Sequence, residues 1–217
     1  MNAACRGVAL LSGGLDSGVA AARFAAAGGA LLACLCFDYG QRAARREERA
    51  ARALAARLQA PLHVVPLPWL AELATRSGCR LAPGTGVLPH GTPDAPGDLA
   101  SARAVWVPAR NAVFVAIGAA FAETLGAECV VAGFNREEAA TFPDNSAAFL
   151  AAGTQFLAFG TRTGVAVVSP TLELDKRAIV AEARRLGFAA TDFWSCYEGG
   201  ERPCGRCESC LRSAFDR

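Results

Sequence analysis

The amino-acid sequence predicts an α/β protein: a doubly wound, mostly parallel five-stranded sheet with a small C-terminal four-cysteine metal-binding segment. Three features predict it. Short apolar runs alternate with longer helical patterns, as they do where helices cover both faces of a parallel sheet. A glycine-containing turn, Ser12-Gly13-Gly14-Leu15-Asp16-Ser17, joins the first apolar run to the first helical one. The tail gathers Cys196, Cys204, Cys207 and Cys210 into one short stretch. A chain of 217 residues suits one main domain, with 1–190 as the α/β unit and 191–217 as a metal-binding tail packed on it.

Residues 8–11, 31–37, 62–66, 129–132 and 165–168 are the expected strands, largely apolar as buried parallel strands are. Residues 16–27, alanine-rich and stopped by Gly28-Gly29, form the first expected helix. The next, 43–58, sets Ala51, Leu54 and Leu58 on one face and pairs Glu48 with Arg52 on another, so it lies against the sheet. Residues 109–125, 147–159 and 175–186 follow as helices, the last closed by Gly187. One segment interrupts this rhythm. Residues 82–101 contain Pro83, Gly84, Gly86, Pro89, Gly91, Pro93, Pro96 and Gly97 and read as a long loop, either a lid or a disordered excursion.

Composition narrows the function classes. With 53% apolar and 19% charged residues the chain has the profile of a compact fold and not of a disordered one. A net charge of +2, carried by arginines scattered along helices, offers no basic stripe, so nucleic acid is not an expected partner. The first apolar run is too short for a signal peptide, and no stretch reaches the roughly 18 apolar residues of a membrane span. The expectation is a cytoplasmic protein without a membrane partner. The cysteines then read as metal ligands in the tail and, at Cys5, Cys34, Cys36, Cys79 and Cys129, as mostly buried small apolar residues. His63 and His90 are isolated and are assigned no catalytic task.

At a strand-to-helix turn, the glycines of Ser12-Gly13-Gly14-Leu15-Asp16-Ser17 let backbone N–H groups approach an anion, and the helix N-terminus adds partial positive charge. Ser12 and Ser17 add hydroxyl donors, while Asp16 is placed to cap the helix and to help hold Mg2+ on bound phosphates. In the tail, three cysteines at two-residue intervals, with a fourth across a glycine-containing loop, can bring four thiolates together tetrahedrally on Zn2+. An iron–sulfur cluster is the rival, although the C-x3-C-P continuation of the ferredoxin run is absent. Four thiolates leave no open position for water, which makes such a site structural.

The first turn lacks the Gly-Lys-Ser/Thr ending of a Walker loop. It resembles instead the PP-loop, where asparagine, GMP and NAD synthetases and tRNA-thiolation enzymes hold the pyrophosphate end of ATP while a substrate oxygen attacks the α-phosphorus. Phe37-Asp38-Tyr39-Gly40-Gln41-Arg42, Val107-Pro108-Ala109-Arg110-Asn111 and Ser195-Cys196-Tyr197 narrow the resemblance. Together with the turn and the tail cysteines, their order and spacing over nearly the whole chain are similar to the 7-cyano-7-deazaguanine synthase family. That resemblance implies an adenine-nucleotide α-hydrolase-like fold and a C–N ligase. The ligase would convert 7-carboxy-7-deazaguanine and ammonia to the nitrile used in queuosine and archaeosine biosynthesis. It would pass through an adenylated carboxylate and an adenylated amide, releasing AMP and pyrophosphate, with ATP, Mg2+ and Zn2+ bound.

By position, the resemblance implies an ATP site of Leu11, Ser12, Gly13, Gly14, Leu15, Asp16, Ser17, Phe37, Tyr39 and Gln41. It implies catalytic roles for Asp16, Ser17, Arg110 and Lys176, substrate contacts from Arg110, Asn111, Glu138, Phe142 and Asp144, and zinc ligation by Cys196, Cys204, Cys207 and Cys210. The sequence departs from the family in one place. Where better-known members carry Asp-x-Ser-Gly-Tyr-Pro-Asp-Cys, Pro143 and Asp144 match, Glu138 stands in place of the first Asp, and Ala140 and Thr141 replace Ser-Gly. This keeps open a related PP-loop ligase that adenylates another carboxylate or deazapurine and joins it to a different amine, on a macromolecule in one version. A zinc-containing nucleic-acid module is a third reading, opposed by the intact turn and the missing basic patch. No glutaminase-like cysteine motif is present, so free ammonia is the default donor. Homodimer and monomer both stay open.

Overall fold

The computed structural model describes residues 4–91 and 99–212. Pro93, Pro96 and Gly97 of the expected loop lie outside the described residues, as do 1–3 and 213–217. The chain runs β1 (Arg6–Leu10), α1 (Leu15–Ala26), β2 (Ala30–Asp38), α2 (Ala44–Arg57), β3 (Leu62–Pro66) and α3 (Pro68–Arg76). It continues through α4 (Leu99–Ala104), α5 (Arg110–Leu125), β4 (Cys129–Val131), α6 (Arg136–Ala139), α7 (Ala147–Gly160), β5 (Ala166–Val168), α8 (Lys176–Arg185) and α9 (Glu208–Arg212). The five strands are ordered β3-β2-β1-β4-β5, and every pairing is parallel.

Side chains that alternate along each strand build two cores. On one face Val8, Leu35, Phe37, Val130 and Val167 meet Leu70 of α3, Val115, Ala119 and Ala122 of α5, and Leu157 of α7. On the other, Ala9, Cys34, Cys36, Cys129 and Val131 meet Val19 of α1, Leu54 of α2 and Ile179 of α8. Four of the five scattered cysteines are thus buried as expected, and Cys5 is exposed. Because the chain winds outward from β1 to β3 and then restarts on the other side at β4, the order reverses between β1 and β4. Ligands of such sheets bind at that reversal, beyond the carboxyl ends of the strands.

The structure corrects the sequence reading in its short elements. Strand α/β alternation also includes α3, opened by Pro68 at its first turn, with Leu70 and Ala74 as its only buried positions. The expected loop 82–101 ends in helix, since α4 begins at Leu99. Its described first part is anchored at points: Ala82 and Leu88 are buried and His90 forms an isolated β-bridge with Cys207 in the tail, while Pro83, Gly84, Gly86 and Val87 are exposed. Asp16 does not cap α1. The cap position is Gly14, with no side-chain hydrogen bond, and Asp16 lies in the first helical turn. Asp175 does cap, its carboxylate accepting the Ala178 N–H at 2.9 Å.

Candidate active site

The glycine turn follows β1 at the order reversal and closes on its own hydroxyls. Ser17 Oγ accepts the Ser12 N–H at 3.2 Å, the two hydroxyls stand 3.0 Å apart, and Gly14 N–H points to Ser12 Oγ at 3.3 Å. With no side-chain cap at Gly14, the first N–H groups of α1 stay available to a bound anion. Gly13 has φ +82°, and a Cβ there would lie 2.4 Å from the Glu47 carbonyl oxygen, so α2 enforces this glycine. Gly133, just past β4, is enforced by α1: a Cβ would stand 2.6 Å from Ser17 N and Cα. The two close approaches press the turn between α2 and the end of β4.

Above the turn lies a charged cluster. Lys176, at the start of α8, places its amine 2.5 Å from Asp16 Oδ2 and 2.7 Å from Glu138 Oε1. Burial raises the Asp16 carboxyl to about 6 against the pull of Lys176. Burial also acts on Glu138, but there Lys176 outweighs it and the carboxyl is held below its ordinary range. Burial works against the Lys176 ammonium too, and its two carboxylate partners more than compensate, so the amine stays protonated. Asp16 Oδ1 is buried without a hydrogen-bond partner among the described residues. Lys176 carries a signal that motif reasoning passed over: it is the only lysine in a chain whose other basic residues of this class are all arginine.

The whole cavity is about 260 Å3, and beyond the cluster its wall mixes aromatic side chains with polar ones. Phe37 stacks on Phe114 of α5 with ring centroids 4.0 Å apart, and Tyr39 is tilted against the same ring. Arg110 donates to the Tyr39 hydroxyl at 3.2 Å, and burial pushes that hydroxyl up to about 12. Gln41 is spent on structure: its amide donates to the Phe37 carbonyl at 3.1 Å and to Glu47 at 2.6 Å, and its oxygen accepts the Tyr39 N–H. Asn111 donates to the Asp144 carbonyl at 3.2 Å. Ala109, before α5, has φ +55°, a strained backbone for a residue with a Cβ, and it sets the start of the helix that carries Arg110.

Of the expected site residues, Leu11, Ser12, Gly14, Leu15, Asp16, Ser17, Phe37, Tyr39, Gln41, Arg110, Asn111, Glu138, Phe142 and Lys176 line this one cavity. Gly13 and Asp144 do not; Gly13 faces α2, and Asn145 lines the wall beside Asp144. Sequence reasoning missed Glu47, Phe114 and Trp194. Glu47 is a carboxylate pushed above its ordinary range by burial, and among the many charged residues in the first turns of α2 it gave no sign of it. Trp194 is held by its backbone N–H, which donates to the Gly13 carbonyl at 2.9 Å, and its indole N–H donates to the Cys196 carbonyl at 2.9 Å.

Trp194, Ser195 and Tyr197 line the cavity and flank Cys196, so the wall and the cysteine cluster share one segment. The sulfurs of Cys196, Cys204, Cys207 and Cys210 all lie within 4.8 Å of one another. Backbone N–H groups of Glu198 and Cys204 point to Cys196 Sγ, and that of Cys207 to Cys204 Sγ, each at 3.3 Å. Donors aimed at sulfur in this way stabilise thiolate, the form that binds metal. The cage therefore fits a thiophilic cation.

Such a cavity can take a polyphosphate at its glycine end and a flat ring at its aromatic end; fold and site together define a nucleotide-using α/β enzyme of the PP-loop kind. Comparison with known proteins goes further. The chain belongs to the family described as Queuosine biosynthesis protein QueC, which matches residues 6–215. It is 46% identical to the 7-cyano-7-deazaguanine synthase of Pelotomaculum thermopropionicum, over 95% of this chain and 94% of that protein. The synthase of that name from Desulforudis audaxviator is likewise 46% identical with the same coverages, and the one from Methanothermobacter thermautotrophicus is 42% identical over 95% of this chain and 91% of its own. Among solved structures, NMN synthetase from Francisella tularensis gives a TM-score of 0.47 at 14% identity, covering 88% of this chain and 65% of that one.

Proposed function

We propose that this chain is an ATP-dependent 7-cyano-7-deazaguanine synthase: it joins 7-carboxy-7-deazaguanine and ammonia into the nitrile, releasing AMP and pyrophosphate. The observation that carries the reading is 46% identity to named synthases over almost the full length of both chains, with a glycine turn and a lysine–carboxylate cluster in one cavity.

A carboxylate resists attack because its leaving group would be oxide, and adenylation replaces oxide with AMP. Ammonia then displaces AMP to give the amide. A second adenylation, on the amide oxygen, allows loss of AMP and leaves the nitrile. In this reading Ser12, Ser17 and the free N–H groups of α1 hold the pyrophosphate end of ATP. Lys176 faces the phosphates from the opposite side and stabilises the charge that builds there. Phe37 and Tyr39 frame the adenine, while Arg110 and Asn111 receive the substrate carboxylate, the guanidinium having donors to spare for a bidentate contact. Phe142 stacks on Trp106 with near-parallel rings and offers a flat wall to a deazapurine, and Glu138 accepts from its polar edge or orients ammonia.

Asp16 Oδ1, buried and free of partners among the described residues, is a hard oxygen suited to Mg2+, which would neutralise the departing pyrophosphate. The four cysteines would hold Zn2+, whose contribution is to staple the tail. Support for the nitrile-forming reading over a related ligase comes from the departure itself. Ala140 is exposed, Thr141 lines an adjoining hollow that shares Phe142 with the cavity, and neither lines the cavity itself.

The test is a mass-spectrometric assay of purified protein with 7-carboxy-7-deazaguanine, ammonium, Mg2+ and ATP, following AMP and the nitrile together. Both products are expected. AMP without nitrile, or a product arrested at the amide, would move the assignment to the related ligase.

A further inference from the structure

Lys176 is gripped twice by α6. Its amine meets Glu138, and its backbone N–H, which has no partner within α8, donates to Glu137 Oε2 at 3.2 Å. The other oxygen of Glu137 faces the tail: Arg212 Nη1 lies 3.5 Å from Glu137 Oε1. Arg212 closes α9, the helix that carries Cys210, and its Nη2 is 2.7 Å from Glu208, whose side chain is 3% exposed. Arg212 itself is only 13% exposed. Glu137, Glu208 and Arg212 stay outside the cavity lining, yet they form a continuous path from the cysteine cage to the residue facing the phosphates.

We propose that Arg212 is a positioning residue for the ligase reaction: through Glu137 it fixes the start of α8, so that the Lys176 amine stands between Asp16 and Glu138. The four-cysteine tail is thereby coupled to the phosphate end of the cavity, beyond merely closing the chain. The charge at position 212 is needed for its reach to Glu137, and the carboxylate at 137 for its two simultaneous contacts. This rests on reading Lys176 as the residue that meets the phosphates, and the test separates the two.

Arg212→Met, Arg212→Lys, Glu137→Gln and the double variant Arg212→Met/Glu137→Gln would each be measured twice. The first readout is kcat and KM for ATP in AMP formation. The second is the rate at which an acetylating reagent modifies Lys176, followed by peptide mass spectrometry, which is unambiguous because the chain has one lysine. Arg212→Met and Glu137→Gln are each expected to lower kcat roughly tenfold and to raise acetylation several-fold, as a displaced catalytic group does. The double variant should be no worse than either single one, because both break the same path. Arg212→Lys should recover most of the loss. Glu137→Gln changes no residue of α9 or the cage and leaves the Arg212–Glu208 pair in place, so it decides the matter if Arg212→Met disturbs the tail. Equal acetylation rates in wild type and Glu137→Gln, or effects that multiply in the double variant, would overturn the proposal. If acetylation responds as expected while the wild type makes no nitrile, positioning stands and the substrate assignment falls.

Discussion

A single amine holding two carboxylates sets the chemistry of the phosphate end at the scale of residues. Asp16, raised to about 6 by burial, must ionise before it could hold the Mg2+ proposed to neutralise pyrophosphate. The sign follows. A carboxyl whose pKa is higher folded than unfolded gives its full contribution to stability below its unfolded value near 4, and that contribution is lost as pH rises through about 6. The ligand-free protein therefore carries the ionised Asp16 at a cost, which the proposed Mg2+ would relieve. We expect kcat/KM for ATP to rise with an acid limb near pH 6. Glu138→Gln removes a like charge from beside Asp16 and leaves Lys176 to it alone, so the limb should move to lower pH. A limb that stays in place in a pH–rate series would show that another group titrates. For Lys176→Met we expect AMP formation to fall on the order of 100-fold or more. Lys176→Arg should recover little, because a planar fork cannot present one point charge to Asp16 and Glu138 at 2.5 and 2.7 Å. Rates at saturating ATP test both.

Between elements, glycines set how closely neighbours approach. Gly133→Ala would place a methyl 2.6 Å from the backbone of Ser17, with no flexible side chain to give way, so β4 and α1 must separate. A loss of about 2 kcal/mol or more and weaker ATP binding are expected, measured by urea denaturation and by nucleotide titration. Gly160→Ala, at the end of α7 with nothing within 4 Å of its Cβ, serves as the control and should be neutral or slightly stabilising. The same contrast explains what was legible in the sequence. Long elements with a strong period, such as α2 with Leu54 inward and Glu48–Arg52 outward, fall within a residue or two of expectation. α6 and α9, of four and five residues, have no room for a period and owe their existence to tertiary partners such as Lys176 and Glu137. In the site, the turn at 12–17 and the cysteines were legible because their chemistry depends on local spacing. Glu47 and Arg212 were not, because each acts across more than one element and reads locally as an ordinary helix charge.

Across the whole molecule, the tail is wall and anchor at once. Trp194 and Tyr197 line the cavity, Trp194 N–H holds the Gly13 carbonyl, and Cys196 lies between them in the chain. On the other side Cys207 pairs with His90 of the long loop. A segment this short has little apolar area to bury, so we expect a metal held by the four sulfurs to supply much of its order. Treatment with a strong chelator and a mild thiol reagent, or substitution Cys204→Ser, is expected to release one zinc per chain. It should lower Tm by about 5–10 °C, the shift that roughly 2–3 kcal/mol produces in a chain of this size. Because Trp194 faces the cavity, tryptophan emission and AMP formation should change together with metal loss, and added zinc should restore both in the unsubstituted protein. Calorimetry and a colorimetric zinc assay on the same samples make the check. Full activity and unchanged Tm after stoichiometric metal release would mean that packing alone holds the wall, and that the sulfurs play no part in keeping Trp194 on the phosphate turn.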